Sequence, residues 1–149
     1  MKLRDYQEAA NQSIMRDAGK YPAQNLLVCL PTGTGKSVVI AAVCKTISDK
    51  GGRVLVLQRS KELICQNQER YNQYDPKGVG RSGAYSAGLG IRQTGEQVTF
   101  AGVQSVVKRA KEFGKIDLIF CDEAHQIPAN EDSQYQQIIR DVREVNPDA

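Results

Sequence analysis

The chain has 149 residues, enough for one domain with a real hydrophobic core. Charged residues make up 25% and apolar residues 40%, an ordinary globular balance, and a formal net charge of +3 is too small to argue nucleic-acid binding by itself. No apolar run approaches the length of a bilayer span and no apolar signal-type core opens the chain, so a cytoplasmic protein without a membrane partner is expected.

Residues 3–18 read as a helix, because Tyr6, Ala10, Ile14 and Ala18 recur on one face and Gly19 and Pro22 follow as stop signals. The continuous apolar run Leu26-Leu27-Val28-Cys29-Leu30 reads as a strand buried on both faces. Residues 36–49 read as a helix ended by Gly51-Gly52, and Arg53-Val54-Leu55-Val56-Leu57 as a second buried strand. Ser60 is placed to cap a helix reaching Tyr74, with Leu63, Ile64 and Tyr71 inward. The glycine-rich residues 77–96 hold a short strand over 79–85 and otherwise loop. A strand over 97–100, a short helix over 103–113, a buried strand over 116–121 and a helix over 132–145 complete the chain. The last helix carries the stripe Tyr135, Ile138, Ile139, Val142 and Val145. Alternating strands and helices predict an α/β fold with a mostly parallel sheet. The four cysteines, Cys29, Cys44, Cys65 and Cys121, lie in apolar stretches without metal-type spacing and read as buried, reduced thiols.

Two stretches carry chemistry. The first is Pro31-Thr32-Gly33-Thr34-Gly35-Lys36-Ser37, between the first strand and the second helix. Strand, glycine-rich turn, Gly-Lys-Ser and helix is the layout of a phosphate-binding P-loop. Glycines let successive backbone N–H groups turn toward phosphate oxygens, and the helix amino end adds partial positive charge. Lys36 then reaches the β and γ phosphates, and the Ser37 hydroxyl is a Mg²⁺ ligand. The strict pattern has glycine where Leu30 stands, leaving Gly33 and Gly35 to supply the flexibility. The second stretch is Asp122-Glu123-Ala124-His125, directly after a buried strand, where α/β sheets place their ligand sites. In a P-loop fold Asp122 holds Mg²⁺, partly through water, and Glu123 orients and deprotonates the attacking water. His125, the one histidine, is expected to couple this site to its surroundings by hydrogen bonds rather than to transfer protons.

With these residues in view, the chain resembles the first RecA-like domain of a superfamily 2 helicase or translocase of DEAH-box type. Leu3-Arg4-Asp5-Tyr6-Gln7 resembles the adenine-reading segment upstream of the P-loop, Pro31 to Ser37 resembles motif I, and Asp122 to His125 motif II. Residues 54–57 with Glu62, Leu63 and Gln66 resemble motif Ia, and residues 99–106 resemble motif Ib. The runs Lys61-Glu62-Leu63, Gln66-Asn67, Val103-Gln104-Ser105-Val106 and residues 131–138 are similar to bacterial RadD-type DNA repair ATPases, with a phage or prophage relative an equal alternative.

The resemblance implies an ATP- and Mg²⁺-dependent motor on nucleic acid, DNA favoured, gripping one strand through its backbone. It implies ATP contacts from Arg4, Gln7, Pro31, Thr32, Gly33, Thr34, Gly35, Lys36 and Ser37. It implies catalytic roles for Lys36, Asp122, Glu123 and His125, and strand contacts from Arg59, Ser60, Lys61, Gly102, Gln104 and Ser105, with residues 86–90 beside them. Tyr6 packs near the base or, as the commoner fate of an aromatic there, in helix core. Lys108 and Arg109 are expected on a solvated face. The family pattern continues into motif III and a second RecA-like domain carrying an arginine finger. The chain is therefore expected to bind ATP–Mg²⁺ weakly, hydrolyse it barely, and present an exposed sheet edge or apolar face prone to self-association. An RNA helicase domain, a P-loop nucleotide module without a nucleic-acid role, and an inactive interaction domain are the alternatives.

Overall fold

The computed structural model describes residues 2–127 and 133–149. Its framework is a five-stranded sheet in the order β3-β2-β4-β1-β5. The strands are β1 (Val54–Gln58), β2 (Ser82–Ser86), β3 (Ile91–Arg92), β4 (Val98–Gly102) and β5 (Leu118–Cys121). Strands β2, β4, β1 and β5 run parallel, and only β3 is antiparallel, at one edge. This is the expected α/β architecture with a mostly parallel sheet.

Helices cover both faces, as parallel sheets require. On one side lie α2 (Lys36–Asp49) and α3 (Lys61–Tyr74), whose Ile40, Ala41, Cys44, Ile64 and Tyr71 pack on Val54, Val56, Ala84, Val98 and Phe100. On the other lie α5 (Val103–Val106) and α6 (Gln134–Val145), where Tyr135, Ile138 and Val142 meet Leu55, Leu57, Tyr85 and Ala101. β1 is central, so all five of its residues are buried and its sequence is apolar without alternation until Gln58. Helix α1 (Asp5–Lys20) joins the first layer through Ile14, which packs against Val39 and Val43. The remaining helix, α4 (Gly78–Arg81), is a single turn.

Local signals set several boundaries. Ser60 caps α3, accepting from the Leu63 N–H at 3.2 Å, and Ser133 caps α6 by the same bond from Gln136. The glycine-rich stretch opens with α4 rather than a strand, since Gly78 packs so closely on Asn72 that a Cβ would lie 2.8 Å from its Cα. The expected helix over 103–113 is divided: α5 ends at Val106 and a 3₁₀ turn covers Ala110–Phe113, closed by Gly114 at φ 69°. In α6 the stripe ends at Val142; Ile139 is half-buried and Val145 is exposed, because the last turn runs past the sheet. Asp132, the expected start of that helix, lies outside the described residues.

One expected element is absent. Residues 26–30 form no strand, and Leu27 is 75% exposed. A run buried on both faces needs strands or helices on both sides. Here β5 is the last strand of the sheet, with every residue only half-buried, and among the described residues no strand or helix covers the run beyond it. An open apolar groove of about 480 Å³ lies between residues 26–28, β5 and α6. Among the described residues β5 forms one edge of the sheet.

The cysteines also divide. Cys44 is buried and Cys121 half-buried, whereas Cys29 and Cys65 are exposed; all four are free. Burial pushes the Cys44 thiol far up, and the Cys121 thiol up to about 11. Thiolates are the reactive species. A maleimide at neutral pH should therefore modify Cys29 and Cys65 rapidly and the other two only on unfolding. Peptide mass spectrometry checks this; rapid native labelling of Cys44 would contradict the packing.

Candidate functional site

The carboxyl ends of β1, β4 and β5 and the amino end of α2 converge. Gly33 and Gly35 adopt φ 81° and 78°, the left-handed region that glycine tolerates best. At Gly35 a side chain is excluded twice over, since a Cβ would also lie 2.7 Å from Gln7 Nε2. The Thr34 hydroxyl donates to Pro31 O at 2.6 Å, closing the turn from within. Helix α2 begins at Lys36, so the first-turn N–H groups of Lys36 and Ser37 face outward without intrahelical acceptors. This is a ready anion cradle, and Gly33 and Gly35, not the position of Leu30, shape it.

The amino-terminal segment braces the loop. Gln7 is buried, donates from Nε2 to Thr34 O at 2.9 Å and accepts the Arg4 backbone N–H at 2.9 Å. Tyr6 is not helix core: it is 40% exposed, and its hydroxyl donates to Thr34 O at 2.8 Å. Both amide groups of Gln7 are thus engaged within the protein, and the Arg4 guanidinium reaches the Tyr6 hydroxyl at 3.5 Å.

The acidic pair faces the loop. Glu123 Oε1 lies 4.0 Å from Lys36 Nζ, and its Oε2 lies 3.3 Å from His125 Nδ1. Glu123 itself sits at φ 56° and ψ 49°, an uncommon conformation for a side-chain-bearing residue and one that clusters at functional sites. Asp122 is fixed by two donors: its own neighbour's backbone, Glu123 N–H to Oδ1 at 2.9 Å, and Asn67 Nδ2 to Oδ2 at 3.2 Å. The carboxylate keeps further lone pairs for a cation's water shell.

A second cluster adjoins the first across the sheet end. Ser105 Oγ accepts the Ala87 N–H at 3.0 Å, and the spaces beside Gly102 and Gly88 are bounded by Ser86, Ser105 and Lys61. Gln104 is exposed beside them. The structure therefore brings Lys61, Gly102, Gln104 and Ser105 together with residues 86–88. It sends two other expected contacts elsewhere. Ser60 spends its oxygen on the α3 cap, and the Arg59 guanidinium lies 5.5 Å from the Tyr135 ring centre with Nε 3.3 Å from the hydroxyl. Lys108 and Arg109 are exposed, as expected of a solvated face.

A family model described as "Type III restriction enzyme, res subunit" matches residues 1–146. The chain belongs to that family. A "51.5 kDa protein" of a Lactococcus phage (isolate 7-9) is 58% identical to it over 36 residues, 24% of this chain and 8% of the phage protein. Among solved structures, the UvsW helicase from bacteriophage T4 superposes with a TM-score of 0.74 at 19% identity, over 95% of this chain and 49% of UvsW. A nuclease-deletion mutant of the Type ISP restriction-modification enzyme LlaGI, in complex with a DNA substrate mimic, gives 0.63 at 20% identity, over 84% of this chain and 15% of LlaGI. At such identities the shared property is the fold, and the chain spans about half of UvsW and less of LlaGI. The family is that of the res subunit, and the fold is one shared with these helicase and restriction-enzyme structures.

Two residues near the site were not singled out for a role by the sequence. Asn67 was quoted as a mark of kinship but is the partner of Asp122; its signal was an amide on the buried Ile64–Tyr71 face of α3. Gln58 ends an otherwise apolar strand, is 1% exposed, and neither amide atom has a hydrogen-bond partner among the described residues. Leaving buried polar groups unpaired costs about 1–3 kcal/mol each.

The residues present fit a nucleoside triphosphate with Mg²⁺. The outward N–H groups of the α2 amino end and Lys36 suit phosphate oxygens. Ser37 and Asp122 would hold the cation, which takes one or two protein groups and completes its shell with phosphate and water.

Proposed function

We propose that this chain is the ATP-binding motor domain of a DEAH-box-type, superfamily 2 DNA helicase or translocase. On this reading it couples ATP hydrolysis to movement on DNA in repair or recombination, in the manner of the RadD-type ATPases. The observation that carries the reading is the meeting of Lys36, Asp122 and Glu123 at one sheet end, beside the Lys61, Gly102 and Ser105 cluster. The DNA substrate mimic named for the LlaGI structure supports DNA over RNA.

In this mechanism Lys36 and the loop residues 31–37 bind the phosphates, and Arg4 and Gln7 fix the loop and the base side of the site. Bound ATP–Mg²⁺ supplies a transferable phosphoryl group whose charge is partly neutralised. Glu123 is the proton acceptor for the attacking water. Its contacts with Lys36 and His125 hold the carboxylate beside the phosphate cradle, where it would take that proton. Asp122, oriented by Asn67, would hold the cation. The Lys61 ammonium, the Gly102 N–H and the polar side chains of Gln104 and Ser105 contact the sugar-phosphate backbone without reading sequence. Arg59 and Ser60 serve the same surface indirectly, by anchoring α6 and capping α3.

A second RecA-like domain is the partner this mechanism needs. The arginine such a domain would supply is worth about 10³-fold or more in rate. The test is fluorescence anisotropy of labelled single-stranded DNA and RNA of equal sequence over a salt series. The expected result is sequence-independent DNA binding that weakens with salt at about −0.7 in the log–log slope per phosphate contacted. Equal or tighter RNA binding would favour the RNA reading, in which 2′-hydroxyls are contacted. No binding to either by the folded chain would leave a nucleotide module.

A further inference from the structure

Four residues line up in register across the carboxyl end of the sheet. Ser86 follows the pair Tyr85–Ala101, Gly102 pairs with Gln58, and Asp122 follows the pair Leu57–Cys121. The order across β2, β4, β1 and β5 is therefore Ser86, Gly102, Gln58, Asp122. Strand alternation puts all four on one face. Val54 and Val56 pack toward α2 and α3, as do Ala84, Phe100 and Phe120, and each row member lies two positions beyond one of these. Asp122 confirms the direction, since Asn67 of α3 donates to it.

The row joins two halves of the proposed function. Gly102 and its neighbours Ser86 and Ser105 belong to the strand-contact cluster, and Asp122 to the nucleotide site. Between them stands Gln58, 1% exposed, with both amide atoms unpaired among the described residues. Neighbouring strands lie about 4.8 Å apart, within reach of a glutamine side chain. Gly102 contributes no side chain to separate Gln58 from Ser86. An amide is suited to a relay, because it donates from one atom and accepts at the other. Asn67 already shows that an amide on this face pairs with Asp122.

We propose that Gln58 is a positioning residue that links strand engagement at Gly102 to the setting of Asp122. Its Nε2 group donates to the Asp122 carboxylate when nucleotide and strand are both bound, and its Oε1 accepts on the Gly102 side. The inference rests on the motor-domain reading and names the side chain through which its two sites communicate.

Gln58→Met tests it, because methionine matches the length and removes both unpaired groups. Replacing an unsatisfied buried amide by an apolar side chain is neutral or stabilising, so the variant should melt at the same temperature or higher. The readout is the affinity of a fluorescent ATP analogue with Mg²⁺, with and without saturating oligo-dT. Parent protein should show a several-fold change on adding oligo-dT. The variant should bind the analogue within about twofold of the parent without DNA and lose the DNA-dependent change, with Gln58→Glu, which keeps an acceptor but loses the donor, also failing to restore it. A Gln58→Met variant that keeps the full DNA-dependent change overturns the inference alone. One that melts lower with that change intact overturns it as well, since the amide would then be structural. A folded parent that binds no nucleotide, or shows no DNA-dependent change, overturns the motor-domain reading and the inference with it.

Discussion

Lys36→Ala should lower the affinity for an ATP–Mg²⁺ analogue by about 30-fold or more, corresponding to at least about 2 kcal/mol, while leaving the fold intact. The two halves of that expectation have separate physical grounds. Truncating one member of a charge pair at a closed contact costs about 2–5 kcal/mol, much of it from the partner charge left uncompensated, and a triphosphate cradled by Lys36 is such a partner. In the unliganded protein, however, Lys36 makes only a 4.0 Å ion pair with Glu123, and both side chains are about a third or more exposed. Exposed pairs of this kind contribute about 0–1 kcal/mol, so the melting temperature should hardly move. Equilibrium titration of a fluorescent analogue, paired with thermal melting, separates the two. Unchanged affinity would mean that the α2 amino end is not the phosphate cradle. A large loss of stability would mean that the Lys36–Glu123 contact matters more to the fold than its geometry allows.

Asp75→Ala should destabilise the domain by about 3–5 kcal/mol, the largest effect expected of any single truncation away from the site. Asp75 follows α3 at the opposite end from Ser60 and is 1% exposed. Its Oδ2 accepts from the Tyr71 hydroxyl at 2.8 Å and lies 3.6 Å from Arg81 Nη1, while Oδ1 accepts the Lys77 N–H at 3.0 Å. Tyr71 is buried in the α2–α3 core, and its phenol is pushed up chiefly by burial. Removing the carboxylate strands a buried hydroxyl and a backbone N–H together. Arg81 keeps Asp49 at 2.6 Å, and Asp49 in turn holds Lys45, so the guanidinium itself is not orphaned. For a domain of this size the expected fall in melting temperature is about 10 °C, out of a total stability of about 5–15 kcal/mol. Asp75→Asn, which retains an acceptor, should lose less. Chemical denaturation of the three proteins checks the order; an alanine variant within about 1 kcal/mol of the parent would contradict the buried network.

The contrast between these two residues shows what was legible in the sequence. Lys36 announced itself through a motif, whereas Asp75 carries no motif and gains its role from long-range neighbours. The α2 helix, the Ser60 cap and the strands β1 and β4 could be read because periodicity, capping chemistry and apolar runs are local. The run over 26–30 could not, because burial on both faces depends on what lies beyond β5, and nothing in the run itself encodes that. Its apolar pattern is sound, but among the described residues it pairs with no strand and Leu27 stays exposed. Tyr6 and Gln7 were read as belonging to the nucleotide region, yet their bonds to Thr34 O show that they brace the loop itself. Gln58 and Asn67 were passed over because an amide inside an apolar segment carries no motif. The register of β1 with β5 places Gln58 level with Asp122, and a hydrogen bond from α3 places Asn67 on it.

The central claim is that nucleotide and nucleic acid bind this domain at adjoining sites that sense each other. The most direct measurement is the affinity of the folded chain for oligo-dT with and without a saturating, non-hydrolysable ATP analogue and Mg²⁺. The account predicts that the analogue shifts this affinity by about 5-fold or more, the usual range of coupling between linked sites. Identical affinities in the two conditions would contradict it, whatever the strength of either ligand alone.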